Sequence, residues 1–237
     1  MNLTGISNEN EFYSQHYMAE IFAGDSDVKG LQDSWQQQET TAREAALTEQ
    51  DKKNAWRTPW NQMSRNARET LLLLDEYGHK QTAIDRLTLG RDVLRSLLST
   101  FELPYAPRAQ YVEHTQSYVP LLGEIKNSQG EPLLWILEAQ ALGSDYDADS
   151  DPLALPLHSA QMKGLEDYPS FEQQSEQESE GNWQKLLSST IFSQTLPPRW
   201  VILASPYQWL LIDRSKYAQN RLIRFDWKEI FSRRELD

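Results

Sequence analysis

The chain has 237 residues, a mass of 27.5 kDa, 39% hydrophobic residues and a formal net charge of -12, enough for one sizeable α/β core or for a domain with an appended helical arm. A mean hydropathy of -0.68 and the lack of any run near the roughly 20 apolar residues a membrane helix needs leave no membrane segment to expect. Zero cysteines exclude disulfides and thiolate zinc sites, and the opening MNLTGISNENEF has neither the basic nor the apolar region of a secretory signal, so the expected location is cytoplasmic.

In chain order, Phe12, Tyr13, Tyr17, Met18 and Phe22 recur close to helical spacing. They predict a short amphipathic helix that packs its stripe on the domain or docks a partner. Residues 28–56 (VKGLQDSWQQQETTAREAALTEQDKKNAW) are helix-favouring but too polar for a core. They predict a long solvated helix or a helical pair, broken at Thr58-Pro59. Residues 1–58 thus read as an N-terminal helical arm and residues 59–237 as the domain proper. Asn61 to Tyr77 predicts a core helix stopped by Gly78. Ile84, Leu87, Val93, Leu94, Leu97, Leu98 and Phe101 predict a second. Glu69, one turn ahead of the Leu71–Leu74 run, is either a solvated surface acid or an acid aimed at the sheet. Two prolines in residues 103–108 end the helical section.

Ser117 to Leu142 (SYVPLLGEIKNSQGEPLLWILEAQAL) predicts two apolar strands about a turn at Asn127 to Gly130. Residues 143–181 then carry about ten acids, three prolines and one lysine, an acidic insertion with the composition of a surface loop. Its DYDADSD resembles a calcium loop but lacks the Gly and the distal Glu of an EF-hand. Trp183 to Phe192 predicts a short amphipathic helix ended by Pro197-Pro198. RWVILA (Arg199 to Ala204) and WLLID (Trp209 to Asp213) predict a second hairpin. Arg214, Lys216, Arg221, Arg224, Lys228, Arg233 and Arg234 follow as a basic patch concealed by the net charge. Its first four members are the expected nucleic-acid contacts. The helix-favouring DWKEIFSRREL reaches the last residues without a stop signal, as expected of a chain that continues.

The unusual residues are Glu138 and Gln140. Two apart on a strand, they point to the same face. A carboxylate beside Leu134 and Ile136 is costly to bury unless a metal, a cation or hydrogen bonds compensate. Phosphodiester hydrolysis on Mg²⁺ needs two or three acidic oxygens and a residue that positions the attacking water. Glu124 on the first strand and Glu138 on the second are the candidate catalytic acids and metal ligands, and Gln140 is the candidate for orienting water. Their unequal distances from the turn leave direct opposition open. In the competing reading Glu138 meets an arginine from the C-terminal patch. The four histidines have no ligand spacing, and no HExxH, Gly-rich phosphate loop or GxSxG elbow occurs. The eight tryptophans offer stacking surfaces for bases, but Trp56, Trp60, Trp135 and Trp200 sit in core-like contexts.

A helix pair, a hairpin ending in Glu-x-Gln, a further helix and RWVILASPYQWLLIDR together resemble the PD-(D/E)xK restriction-endonuclease-like fold. The ends, NENEFYSQHYMAEIFAGD and LPPRWVILA…WLLIDRSKY…RLIRFDWKEIFSRRE, are similar to the N-terminal region of large bacterial proteins that fuse this module to an adenine-specific DNA methyltransferase in restriction-modification and phage defence. The resemblance implies an α/β fold, a restriction-endonuclease-like mixed sheet flanked by helices, with an N-terminal helical arm. It implies double-stranded DNA and a C-terminal methyltransferase portion of the same longer chain as partners. Glu138 matches the Glu of the motif, Gln140 stands where Lys is usual, and Tyr118-Val119-Pro120 falls where the first-strand Asp is expected. The implied activities are Mg-dependent DNA cleavage or, alternatively, a catalytically degenerate scaffold or DNA-contacting domain.

Overall fold

The computed structural model describes residues 4–80, 82–142, 145–169 and 181–232. Strands β1 (Ile6–Glu9), β2 (Arg108–Val112), β3 (Ser117–Lys126), β4 (Pro132–Glu138), β5 (Trp200–Ala204), β6 (Gln208–Asp213) and β7 (Leu222–Asp226) form one seven-stranded sheet in the order β1-β7-β6-β5-β4-β3-β2. The pairings are antiparallel except between β4 and β5, which run parallel. The helices are α1 (Ser26–Ala45), α2 (Glu49–Asn54), α3 (Pro59–His79), α4 (Ala83–Thr100), α5 (Trp183–Leu186), α6 (Arg214–Tyr217) and α7 (Trp227–Ser232). The molecule is therefore α/β, with a mixed sheet flanked by helices.

Alternation along β4 divides the core between two faces. Trp135 and Leu137 join Val201, Leu203, Trp183, Leu187 and Ile191 on one face. Ile136 joins Leu74, Tyr77, Leu94, Leu98, Trp209 and Trp227 on the other, beneath α3, α4 and α7. This is the period-two pattern of a strand covered on both faces. Part of the acidic insertion is core rather than solvated loop, because Leu155, Leu157 and Met162 are buried in the first cluster. Residues 143–144 and 170–180 of that insertion lie outside the described residues.

The helix pair forms as its caps and stripes dictate. Thr58 accepts from Asn61 N at the start of α3, with Pro59 in the first position. Thr82 caps α4 by accepting from Asp85 N at 3.1 Å. Glu69 is exposed. Gly78 lies inside α3 rather than stopping it: a Cβ there would meet Tyr207 Oη at 2.5 Å, and that hydroxyl donates to Leu74 O at 2.8 Å. A close approach between helix and sheet, and not a left-handed cap, is what Gly78 supplies.

The N-terminal segment corrects one expectation. Residues 6–9, ahead of the aromatic stretch, form the edge strand β1, paired antiparallel with β7, and Phe12 and Tyr13 lie outside the helix their spacing predicts. Asn10 and Glu11 adopt positive φ values of 49° and 58°, so the chain turns sharply. Asn8 clasps that turn, its Oδ1 accepting from Tyr13 N at 3.0 Å and its Nδ2 donating to Tyr13 O at 2.7 Å. Phe12 is thereby driven into the core at 2% exposure. A wide helical turn, Tyr17–Ile21, and a tighter one, Phe22–Gly24, follow before α1, so the expected helix forms only over its second half.

The polar 28–56 stretch is a helical pair, α1 and α2, as its composition predicts. One buried acid ties it to the domain: Glu39 accepts from Thr58 N at 3.1 Å and Asn61 Nδ2 at 2.7 Å. Burial alone would raise the Glu39 pKa, but these hydrogen bonds and Arg43 outweigh it and hold the carboxyl below its ordinary value.

Candidate functional site

The site grows from the C-terminal end of β4, a central strand flanked by antiparallel β3 and parallel β5. Period-two alternation puts Glu138 on the Ile136 face, under α4. Its side chain is fully buried, and it is matched there by Arg91 of α4. Arg91 Nε donates to Glu138 Oε1 at 3.0 Å and Nη2 donates to Oε2 at 2.8 Å, a two-pronged fork on the carboxylate. Gln140 Nε2 donates to the same Oε1 at 2.7 Å. Gln140 is itself fully buried and presses on α4 at Gly90, where a Cβ would collide with its amide. The missing side chain at Gly90 is what lets the helix and Gln140 coexist.

The acidic insertion closes this arrangement. Gln161, also fully buried, donates from Nε2 to Glu138 O at 3.0 Å. Its own carbonyl accepts from Arg91 Nη2 at 2.5 Å, and its Oε1 accepts from His158 N at 3.0 Å. Burial by itself would lower the Arg91 pKa. The hydrogen bond and attraction of Glu138 outweigh it, and the guanidinium pKa stands above its ordinary value. The result is a fully buried carboxylate paired with a fixed, mostly buried cation.

Glu124 is not part of it. The register pairs Glu124 with Trp135, whose ring lies in the opposite core cluster. Glu124 therefore shares the Trp135 face, and it lies three residues from Glu138 along the ladder, about 10 Å at ~3.3 Å per residue. There it accepts from Trp135 Nε1 at 3.0 Å and Arg108 Nη2 at 2.9 Å, with Lys126 Nζ at 3.5 Å. Burial pushes its pKa up, but these donors and cations prevail and hold it below the ordinary carboxylate value. The residues across β3 from Glu138, around Pro120 and Leu121, are apolar and buried.

The sequence-predicted trio is thus split: Glu138 and Gln140 meet, and Glu124 faces away. Magnesium takes near-octahedral oxygen donors and one or two carboxylates. Here both oxygens of Glu138 face nitrogen donors and the second acid is across the sheet, so this donor set does not fit the ion. Among the described residues, which include all of DYDADSD at 145–151, no group of three or more His, Cys, Asp or Glu is placed to hold a metal.

The basic patch is also divided. Arg224 pairs with Glu9 and with Asp151 at 3.1 Å, and donates to Gln208 Oε1 at 2.7 Å. Lys216 Nζ donates to Phe12 O at 2.7 Å and lies 4.3 Å from the centre of its ring. Both hold the N-terminal segment against the sheet. Arg214 is exposed and Arg221 half-buried, and neither side chain has an ion-pair partner among the described residues. Lys228 lies over the Tyr207 ring at 5.4 Å. Arg233 and Arg234 lie outside the described residues.

Two residues of the buried network escaped the sequence reading. Arg91 carried a usable signal: it falls on the Leu87, Leu94, Leu98 stripe of α4 at i+4 from Leu87, and an arginine on an apolar stripe implies a buried acid to meet it. The competing expectation of an arginine partner for Glu138 is met in kind, but the arginine comes from α4 and not from the C-terminal patch. Gln161 carried no such signal. No family model, curated protein or solved structure matches this chain.

Proposed function

We propose that this chain is a restriction-endonuclease-like module of a DNA restriction-modification or phage-defence protein in which the motif position holds the fold together and does not cut DNA. The fold part of the reading is supported by the order of elements: the helix pair α3–α4, the hairpin β3–β4 ending in Glu138 with Gln140 two residues on, the helix α5, and β5 laid parallel to β4. The non-cutting part rests on one observation, the Arg91 fork that neutralises Glu138 in a fully buried setting. Exposed Arg214 and half-buried Arg221 supply cations for the phosphate backbone. Double-stranded DNA and a methyltransferase portion of a longer chain are the partners this reading implies.

Supercoiled plasmid incubated with the chain and Mg²⁺ is expected to stay intact, with the parent chain and with Glu138→Gln alike. Arg214→Ala and Arg221→Ala are expected to weaken duplex binding across all sequences and to flatten its salt dependence. Magnesium-dependent nicking that Glu138→Gln abolishes, with circular dichroism unchanged, would instead make Mg-dependent cleavage the function and overturn the non-cutting reading.

A further inference from the structure

The outward face of α3 carries an arrangement that none of the foregoing uses. Leu72 is 63% exposed at the middle of that face. Arg68 stands one turn before it and Asp75 one turn after, both exposed. Positions i, i+4 and i+7 align along one side of a helix, so the face reads cation, leucine, anion over about 10 Å at ~1.5 Å rise per residue. Arg68 forms no ion pair among the described residues, and Asp75 has only the exposed His79 ring at 3.8 Å. Beside Leu72, a groove of about 700 Å³ runs between α3 and α7, with Ala67, Leu71, Leu74 and Phe231 in its wall.

This pattern is complementary to itself. A two-fold axis passing between Leu71 and Leu72 lays a second α3 antiparallel on the first. It sets Arg68 against the second copy's anion at position 75, and Asp75 against its cation at 68. It brings the exposed leucine of each copy to the groove of the other. Symmetry makes every such contact twice, as an isologous interface requires. An unrelated partner would have to mirror this spacing, whereas a second copy carries it already.

We propose that α3 is a homodimerisation face on which two copies of this chain pair antiparallel through Leu72, Arg68 and Asp75. One helix pair is a small interface, so the dimer is weak, with a dissociation constant on the order of tens of micromolar.

Sedimentation equilibrium of the chain at low salt, from about 1 to about 300 μM, tests it. The mass is expected to rise from 27.5 kDa toward twice that value. Arg68→Asp and Asp75→Arg alone each place like charges together twice per dimer, and each is expected to weaken association about tenfold or more. Mixing these two variants in equal amounts restores opposite pairs and is expected to restore association, as is combining both changes in one chain. Leu72→Glu is expected to leave a monomer. All three positions of substitution are exposed, so circular dichroism is expected to stay unchanged. A mass fixed at 27.5 kDa throughout, self-association untouched by the single charge changes, or failure of the mixture to associate would each overturn the proposal.

Discussion

Removing the guanidinium of Arg91 is the sharpest perturbation of the buried network. In Arg91→Met the Glu138 carboxylate, fully buried, keeps one side-chain donor, Gln140 Nε2 at 2.7 Å, and loses those at 3.0 Å and 2.8 Å. Each charged hydrogen bond contributes about 1.5–3 kcal/mol. Their loss, and the unpaired charge left behind, costs about 3–5 kcal/mol, the usual penalty for breaking a buried pair. Gln161 O loses a donor in the same step. Urea unfolding followed by tryptophan fluorescence, with a slope of about 2–3 kcal/mol per M, should then show the midpoint falling by about 1–2 M. Arg91→Met combined with Glu138→Leu is expected to recover most of the loss, because an apolar pair of similar volume needs no compensation. A midpoint lowered by less than about 0.3 M, or a double-mutant cycle with no coupling, would refute the account of Glu138 as a charge held by Arg91.

Two further outcomes follow from the same geometry. The folded Glu124 carboxyl titrates below its ordinary value of 4.5, so as pH falls the unfolded chain takes up the proton first. Its stabilisation is complete above the unfolded pKa and is lost as pH drops through the folded one. Glu124→Gln is therefore expected to cost about 1–2 kcal/mol at neutral pH and to flatten the acid limb of a stability–pH curve measured by urea unfolding. An acid limb as steep as the parent's would count against the Trp135 and Arg108 bonds. Gly90→Ala forces a Cβ into the Gln140 amide and is expected to lower stability by about 1–3 kcal/mol. Adding Gln140→Ala should reduce that cost in thermal unfolding, and strict additivity of the two changes would contradict the contact.

Local chemistry made much of this molecule legible before any tertiary structure. The strands of the central hairpin are visible as apolar runs about Asn127–Gly130, the second hairpin as RWVILA and WLLID, and α3 and α4 as apolar stripes, the first behind the break at Thr58-Pro59. Period two alone aligned Glu138 with Gln140. β1 and β2 at the two sheet edges, and β7 next to β1, were not legible in the same way, since strands of four or five residues there are defined by the neighbours they pair with. The sharp turn at Asn10 and Glu11 also takes Phe12 and Tyr13 out of the helix that their spacing with Tyr17 and Phe22 predicts.

What only the tertiary structure decided is which charges meet. Sequence spacing along a strand determines the face of a side chain, and so the sequence announced a costly carboxylate at Glu138 that needed a metal, a cation or hydrogen bonds. The identity of that cation depended on α4 crossing β4, which brings residues 47 apart in sequence into one fork. The separation of Glu124 from Glu138 depended on strand register, because one ladder step exchanges the two faces of a sheet. Lys216 and Arg224 were likewise drawn out of the basic patch by contacts with the first dozen residues. Electrostatic partners are set by long-range packing, and no local pattern in the sequence specifies it.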